Sequence, residues 1–87
     1  MVRARDWTEE EFETLLQHPE MSDEELSEFL NRTPGAVAAV RDFIHSYHNG
    51  GSISGLSQMM AQRLRKGGWT CPRCGKVFPL GTDPRGN

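Results

Sequence analysis

Cys71 and Cys74 are the only cysteines in this 87-residue chain, and they stand two residues apart in Trp69-Thr70-Cys71-Pro72-Arg73-Cys74-Gly75. Thiolates at this spacing converge on one metal ion. Tetrahedral zinc suits them, and a closed structural site needs four ligands, so histidines or a second chain must supply the other two. His45 and His48 repeat the two-residue gap and precede Cys71 by a 22-residue connection. An intrachain Cys2His2 site on Cys71, Cys74, His45 and His48 can therefore be written. Two alternatives stay open: a dimer sharing four cysteines, and His18 with one other group. In a reducing compartment such a cysteine pair binds metal more often than it forms a disulfide, and the βαβ setting of a thioredoxin-like redox pair is missing.

The charges are sorted along the chain behind a formal net charge of -2. From Asp6 to Glu28 there are ten carboxylates and no Lys or Arg, whereas from Arg63 onward Arg63, Arg65, Lys66, Arg73, Lys76 and Arg85 face Asp83 alone. Arg3 and Arg5 form a basic arm. An acidic body with basic ends meets a nucleic acid through those ends, or a basic protein through the body. Carboxylates in the first turns of helices also have a structural use, because they favour the helix dipole. Ser, His and carboxylates are present, yet no spacing pairs a nucleophile with its base. A chain this short leaves little room for a pocket around an open catalytic zinc. Neither enzyme activity nor a small-molecule substrate is expected.

The elements that must position these groups are mainly helical. Thr8-Glu9-Glu10-Glu11 is a capping box, with Trp7 and Phe12 as its hydrophobic staple, and it starts a helix over about Glu9 to Gln17 that Pro19 stops. Ser22-Asp23-Glu24-Glu25 repeats the box with Met21 and Leu26 as staple. Phe29 and Leu30 complete that short helix, which ends near Asn31. Thr33 as cap and Pro34 at the first helical position open a third helix to about His48, stopped by Asn49-Gly50-Gly51. Its apolar arc is Ala36, Val37, Val40, Phe43, Ile44 and Tyr47, with Arg41, His45 and His48 on one shoulder and Gly35, Ala39, Asp42, Ser46 and Asn49 facing outward. Ser52 to Ser54 begin a fourth segment in which Leu56, Met59, Met60 and Leu64 have helical spacing, and Gly67-Gly68 closes it. Trp69 to Phe78 reads as a short β-hairpin. Pro79 to Asn87 reads as a loose tail.

Trp7-Thr8-Glu9-Glu10-Glu11, Ser22-Asp23-Glu24-Glu25-Leu26 and Asn31-Arg32-Thr33-Pro34-Gly35-Ala36-Val37 together resemble the helix-turn-helix of Myb/SANT-like and homeodomain-like DNA-binding domains, especially small bacterial and phage versions. The resemblance covers a little over half of the chain. It implies a tri-helical bundle whose third helix enters the major groove, with Arg41 or the turn residue Arg32 addressing guanine and Arg3 and Arg5 reaching the minor groove. The Cys-Pro-x-Cys-Gly turn between aromatic residues resembles the knuckle of a zinc ribbon. Basic residues around it, Arg63, Arg65, Lys66, Arg73 and Lys76, make a second candidate DNA surface.

The expected architecture is mainly α: residues 1–50 a tri-helical helix-turn-helix domain, 51–78 a helix and zinc-binding hairpin packed on it, and 79–87 a flexible tail. A core of this size is marginal, and a structural zinc would supplement it. No apolar run spans a membrane and no signal-like segment is present, so a cytoplasmic location is expected. The expected function is that of a small zinc-stabilised DNA-binding protein, a transcriptional regulator or accessory subunit. The competing expectation is a protein-interaction module that docks on transcription machinery through its acidic first two helices.

Overall fold

The computed structural model describes residues 7–51 and 56–82. Among them run α1 (Glu9–Gln17), α2 (Asp23–Leu30), α3 (Pro34–His48) and α4 (Gln58–Arg65), followed by an antiparallel hairpin of β1 (Trp69–Thr70) and β2 (Val77–Phe78). The protein is mainly helical with one small hairpin.

α1 and α2 both start at reciprocal caps. The Glu11 amide donates to the Thr8 hydroxyl at 3.1 Å while the Thr8 amide donates to the Glu11 carboxylate at 3.0 Å. Ser22 and Glu25 repeat the arrangement at 3.1 and 3.0 Å. A cap of this kind stabilises a helix by ~1 kcal/mol, which matters for helices of two turns that are marginal alone. Asn31 ends α2 in the left-handed conformation, with φ 58°. A three-residue turn then reaches α3, where the Thr33 hydroxyl accepts from the Ala36 amide at 3.1 Å and Pro34 occupies the first turn. At the far end of α3, Gly50 takes the left-handed turn, with φ 80°, while Asn49 stays at φ -95°. α4 is capped by Ser57, whose hydroxyl accepts from the Met60 amide. Ser52 to Ser54, where the fourth segment was expected to begin, lie outside the described residues.

α2 packs on α3, and α1 packs on α4 and β1. The core is built from Phe12, Leu15 and Leu16 of α1, Leu26 of α2, Val37, Val40, Ile44 and Tyr47 of α3, and Met60 and Leu64 of α4. Each of these larger side chains contributes about 1.5–3 kcal/mol when fully buried. Trp69 and Phe78 oppose one another across the hairpin with ring centroids 4.6 Å apart, and the Trp69 indole donates to the Leu64 carbonyl at 3.0 Å. The core therefore continues from the helices under the hairpin. Phe29 is 64% exposed. Leu26 is buried and Leu30, one turn on, packs against the core, which leaves Phe29 turned away from that stripe.

The start of the expected loose tail is a turn tied to α4. The Gly81 amide donates to the Lys66 carbonyl and the Gly68 amide to the Phe78 carbonyl, both at 2.6 Å. Gly67, at φ 75°, sits so close to this turn that an added Cβ would lie 2.2 Å from the Pro79 carbonyl oxygen. Residues 83–87 lie outside the described residues. No helix among those described is long and apolar enough to cross a membrane.

Candidate metal centre

His45 and His48 occupy the last turns of α3, three residues apart, so both imidazoles leave the helix on one side. Their ring centroids are 5.1 Å apart. The hairpin turn brings the cysteines to them. Within that turn the Gly75 amide donates to the Cys71 carbonyl at 2.9 Å and the Cys71 amide to the Lys76 carbonyl at 2.8 Å, with Gly75 at φ 79°. The backbone amides of Arg73 and Cys74 point at the Cys71 sulfur, where they favour a thiolate.

Two contacts join helix to hairpin: His45 Nδ1 to Cys71 Sγ at 3.4 Å, and His48 Nε2 to Cys74 Sγ at 3.4 Å. All four ligand atoms lie within 4.8 Å of one another, close enough to bind one metal ion. With bonds of 2.0–2.3 Å to nitrogen and sulfur, the edges of a tetrahedron around zinc measure about 3.3–3.8 Å, so two edges already have the required length. The donor set of two thiolates and two imidazoles suits a borderline-soft ion in a closed site, and leaves no open position for a substrate.

The surroundings tune these groups in opposite ways. Burial pushes the Cys71 thiol up, so a bound cation would replace its proton and remove the cost of burying the thiolate. Burial, with the His45 and Lys76 charges adding to it, holds the His48 imidazole below its ordinary value and keeps it neutral, as a ligand must be. The His48 ring is lodged against Phe78 and Trp69, at centroid distances of 5.1 and 6.2 Å. Asn49 donates to the His45 carbonyl at 2.9 Å and lies 3.2 Å from that ring's other nitrogen, which fixes its orientation. Asn49 reads from the sequence only as an outward residue and part of the helix stop, with no sign of this role. Nothing marked the aromatic seat of His48 except the position of Trp69 and Phe78 on either side of the turn.

The cations expected to meet DNA are placed very differently from one another. Arg41 does not face outward: it is 2% exposed, and its guanidinium donates to the His18 and Met21 carbonyls and to Asp23 at 2.9, 2.7 and 2.9 Å. Arg32 lies over the Trp7 ring at 4.3 Å and pairs with Glu11 at 2.6 Å. Neither is presented to a groove, because the connection between α1 and α2 and the start of α1 need a donor and a counter-charge there. Arg63 joins α4 to Glu13 of α1 and donates to the Gly67 carbonyl. Arg73 reaches back from the knuckle to Asp42 at 2.9 Å and Asp23 at 3.4 Å. Arg65, Lys66 and Lys76 are exposed. Arg3 and Arg5 lie outside the described residues.

No family model, no curated protein and no solved structure matches the chain.

Proposed function

We propose that the centre holds a structural Zn2+ on His45, His48, Cys71 and Cys74, and that the surface it assembles belongs to a small DNA-binding protein, a regulator or an accessory subunit. The observation that carries this reading is the sorting of the cations. Among the described residues Arg32, Arg41, Arg63 and Arg73 are held in ion pairs, while Arg65, Lys66 and Lys76 pair with no carboxylate and gather at the end of α4 and on the clamped hairpin. Phosphates are recognised by exposed cations of this kind, of which Lys76 also lies over the Phe78 ring at 5.7 Å and Lys66 acts on the Glu13 carboxylate. Zinc contributes position here and no chemistry: it fixes the hairpin and Lys76 beside α3. The α2–turn–α3 segment, with its resemblance to helix-turn-helix domains, supports the same reading, but the contact surface shifts from α3 alone towards the hairpin.

Fluorescence anisotropy of a labelled random duplex tests it. Three phosphate contacts give a slope of log K against log salt of about -2.7, and Lys66→Ala or Lys76→Ala each reduce its size by about 0.9. An unchanged anisotropy at low salt removes the DNA reading. The second reading, docking of a basic protein on the acidic helices, then takes its place. It is favoured by Phe29, an exposed aromatic on a helix whose first turn is Asp23, Glu24 and Glu25 and whose last turn has no basic residue.

A further inference from the structure

Arg73 stands between the two cysteines in a turn whose geometry does not require an arginine. Its guanidinium is exposed yet partnered: Nε donates to Asp42 of α3 at 2.9 Å, and Nη2 lies 3.4 Å from Asp23 at the start of α2 and 3.3 Å from the Ala38 carbonyl. Asp23 is shared. Its other carboxylate oxygen accepts from Arg41, and Arg41 in turn holds the His18 and Met21 carbonyls of the connection between α1 and α2. A continuous chain of charged hydrogen bonds thus runs from the knuckle across α3 to the α1–α2 connection, in the order Arg73, Asp23, Arg41, His18 and Met21.

We propose that this chain couples metal occupancy to the order of the helices, so that zinc holds α2 and the α1–α2 connection as well as the hairpin. The inference rests on the zinc reading given above. With the four ligands on the ion, the knuckle is fixed and Arg73 is placed within reach of both aspartates. Without the ion, the knuckle turn loses the metal bonds that join it to His45 and His48, while Trp69 and Phe78 stay packed on the core. Arg73 is then withdrawn from Asp42 and Asp23, and Arg41 alone remains to hold the connection. Two half-exposed ion pairs are individually modest, but they act on one junction, and their joint loss is expected to be visible locally. Arg73 is a positioning residue in this scheme. It touches no metal and need touch no DNA.

Hydrogen exchange of the full chain, read by mass spectrometry on peptides covering residues 18–23, tests the coupling. The wild type is compared with and without zinc, and the zinc-loaded Arg73→Gln variant is measured beside it, with native mass spectrometry reporting metal content. Removing zinc from the wild type is expected to speed exchange at 18–23 by about three- to tenfold, the size two such pairs sustain. Zinc-loaded Arg73→Gln is expected to show the same acceleration while keeping one zinc per chain and a protected hairpin. Wild-type protection at 18–23 in that variant overturns the proposal. Because Arg73 adjoins the ligands, Asp42→Ala is included: it leaves the knuckle sequence intact and removes the shorter of the two carboxylate contacts. Intermediate acceleration with zinc retained supports the coupling, and full protection overturns it even where Arg73→Gln has lost its metal. If the wild type binds no zinc, the zinc reading itself fails, which is a separate result.

Discussion

Replacing Arg41 by alanine is expected to destabilise the helical part of the protein more than it affects any partner. Its side chain makes three charge-assisted bonds of 2.7–2.9 Å and is almost wholly enclosed, at 3% exposure. Truncation leaves the His18 and Met21 carbonyls and one oxygen of Asp23 without that donor. Removing one member of a buried charged network costs about 3–5 kcal/mol. Asp23 retains Arg73 and is itself 27% exposed, which puts the expected loss near the lower bound, about 3 kcal/mol. A domain of this size has a total stability of about 5–15 kcal/mol, and each kcal/mol moves the midpoint by about 4–8 °C, so the melting temperature is expected to fall by about 12–24 °C. Urea titration of the zinc-saturated protein, followed by circular dichroism, measures the loss directly. Arg41→Lys is expected to recover only part of it, since a point charge cannot serve three acceptors set around a planar fork. Duplex affinity, measured where the variant is folded, is expected to change by less than about threefold, because a buried group makes no phosphate contact. A variant as stable as the wild type to within about 1 kcal/mol, yet unable to bind DNA, would refute the internal role and return Arg41 to the surface.

Two further outcomes follow from the packing and the ion pairs. Gly67→Ala places a methyl group 2.2 Å from the Pro79 carbonyl oxygen and 2.7 Å from that of Thr82, at a left-handed φ. It should cost more than about 2 kcal/mol and loosen the hairpin on α4, whereas Gly35→Ala, which meets nothing within 4 Å in the first turn of α3, should stabilise by about 0.4–1 kcal/mol; thermal melts of the two variants give opposite signs if this is right. The hydrogen bond from Arg63, with its charge adding, holds the Glu13 carboxyl below its ordinary range. A folded-state value below the unfolded one stabilises the protein above the unfolded value and ceases to do so as pH falls through the folded one. The melting temperatures of wild type and Glu13→Gln should therefore separate near neutrality and converge below about pH 4, and a constant difference across that range would show the pair to be inert.

Much of this arrangement was legible in the sequence because it is locally determined. The two capping boxes need only residues three apart, the Thr33-Pro34 start needs two neighbours, and a cysteine pair with a matching histidine pair is visible at any separation. What was not legible depends on distant backbone. Arg41 read as a shoulder residue on α3, and no periodicity reveals that the His18 and Met21 carbonyls, around twenty positions earlier, are left for it to satisfy. Arg32 read as a turn residue open to a groove, whereas Trp7 and Glu11 enclose it. Phe29 read only as completing α2, and the packing of α2 on α3 shows that Leu26 and Leu30 fill the apolar stripe while Phe29 faces outward. The turn at Pro79–Thr82 read as loose from its Pro and Gly content. Its order comes from Gly67, which allows two backbone segments to meet.

Native mass spectrometry of the chain with zinc tests whether one ion on His45, His48, Cys71 and Cys74 clamps the hairpin to α3. Expected is one zinc per monomer in the wild type, lost in the His45→Ala, His48→Ala double variant and in Cys74→Ser. Full zinc occupancy in the double histidine variant, or zinc found only in a dimer, would contradict it.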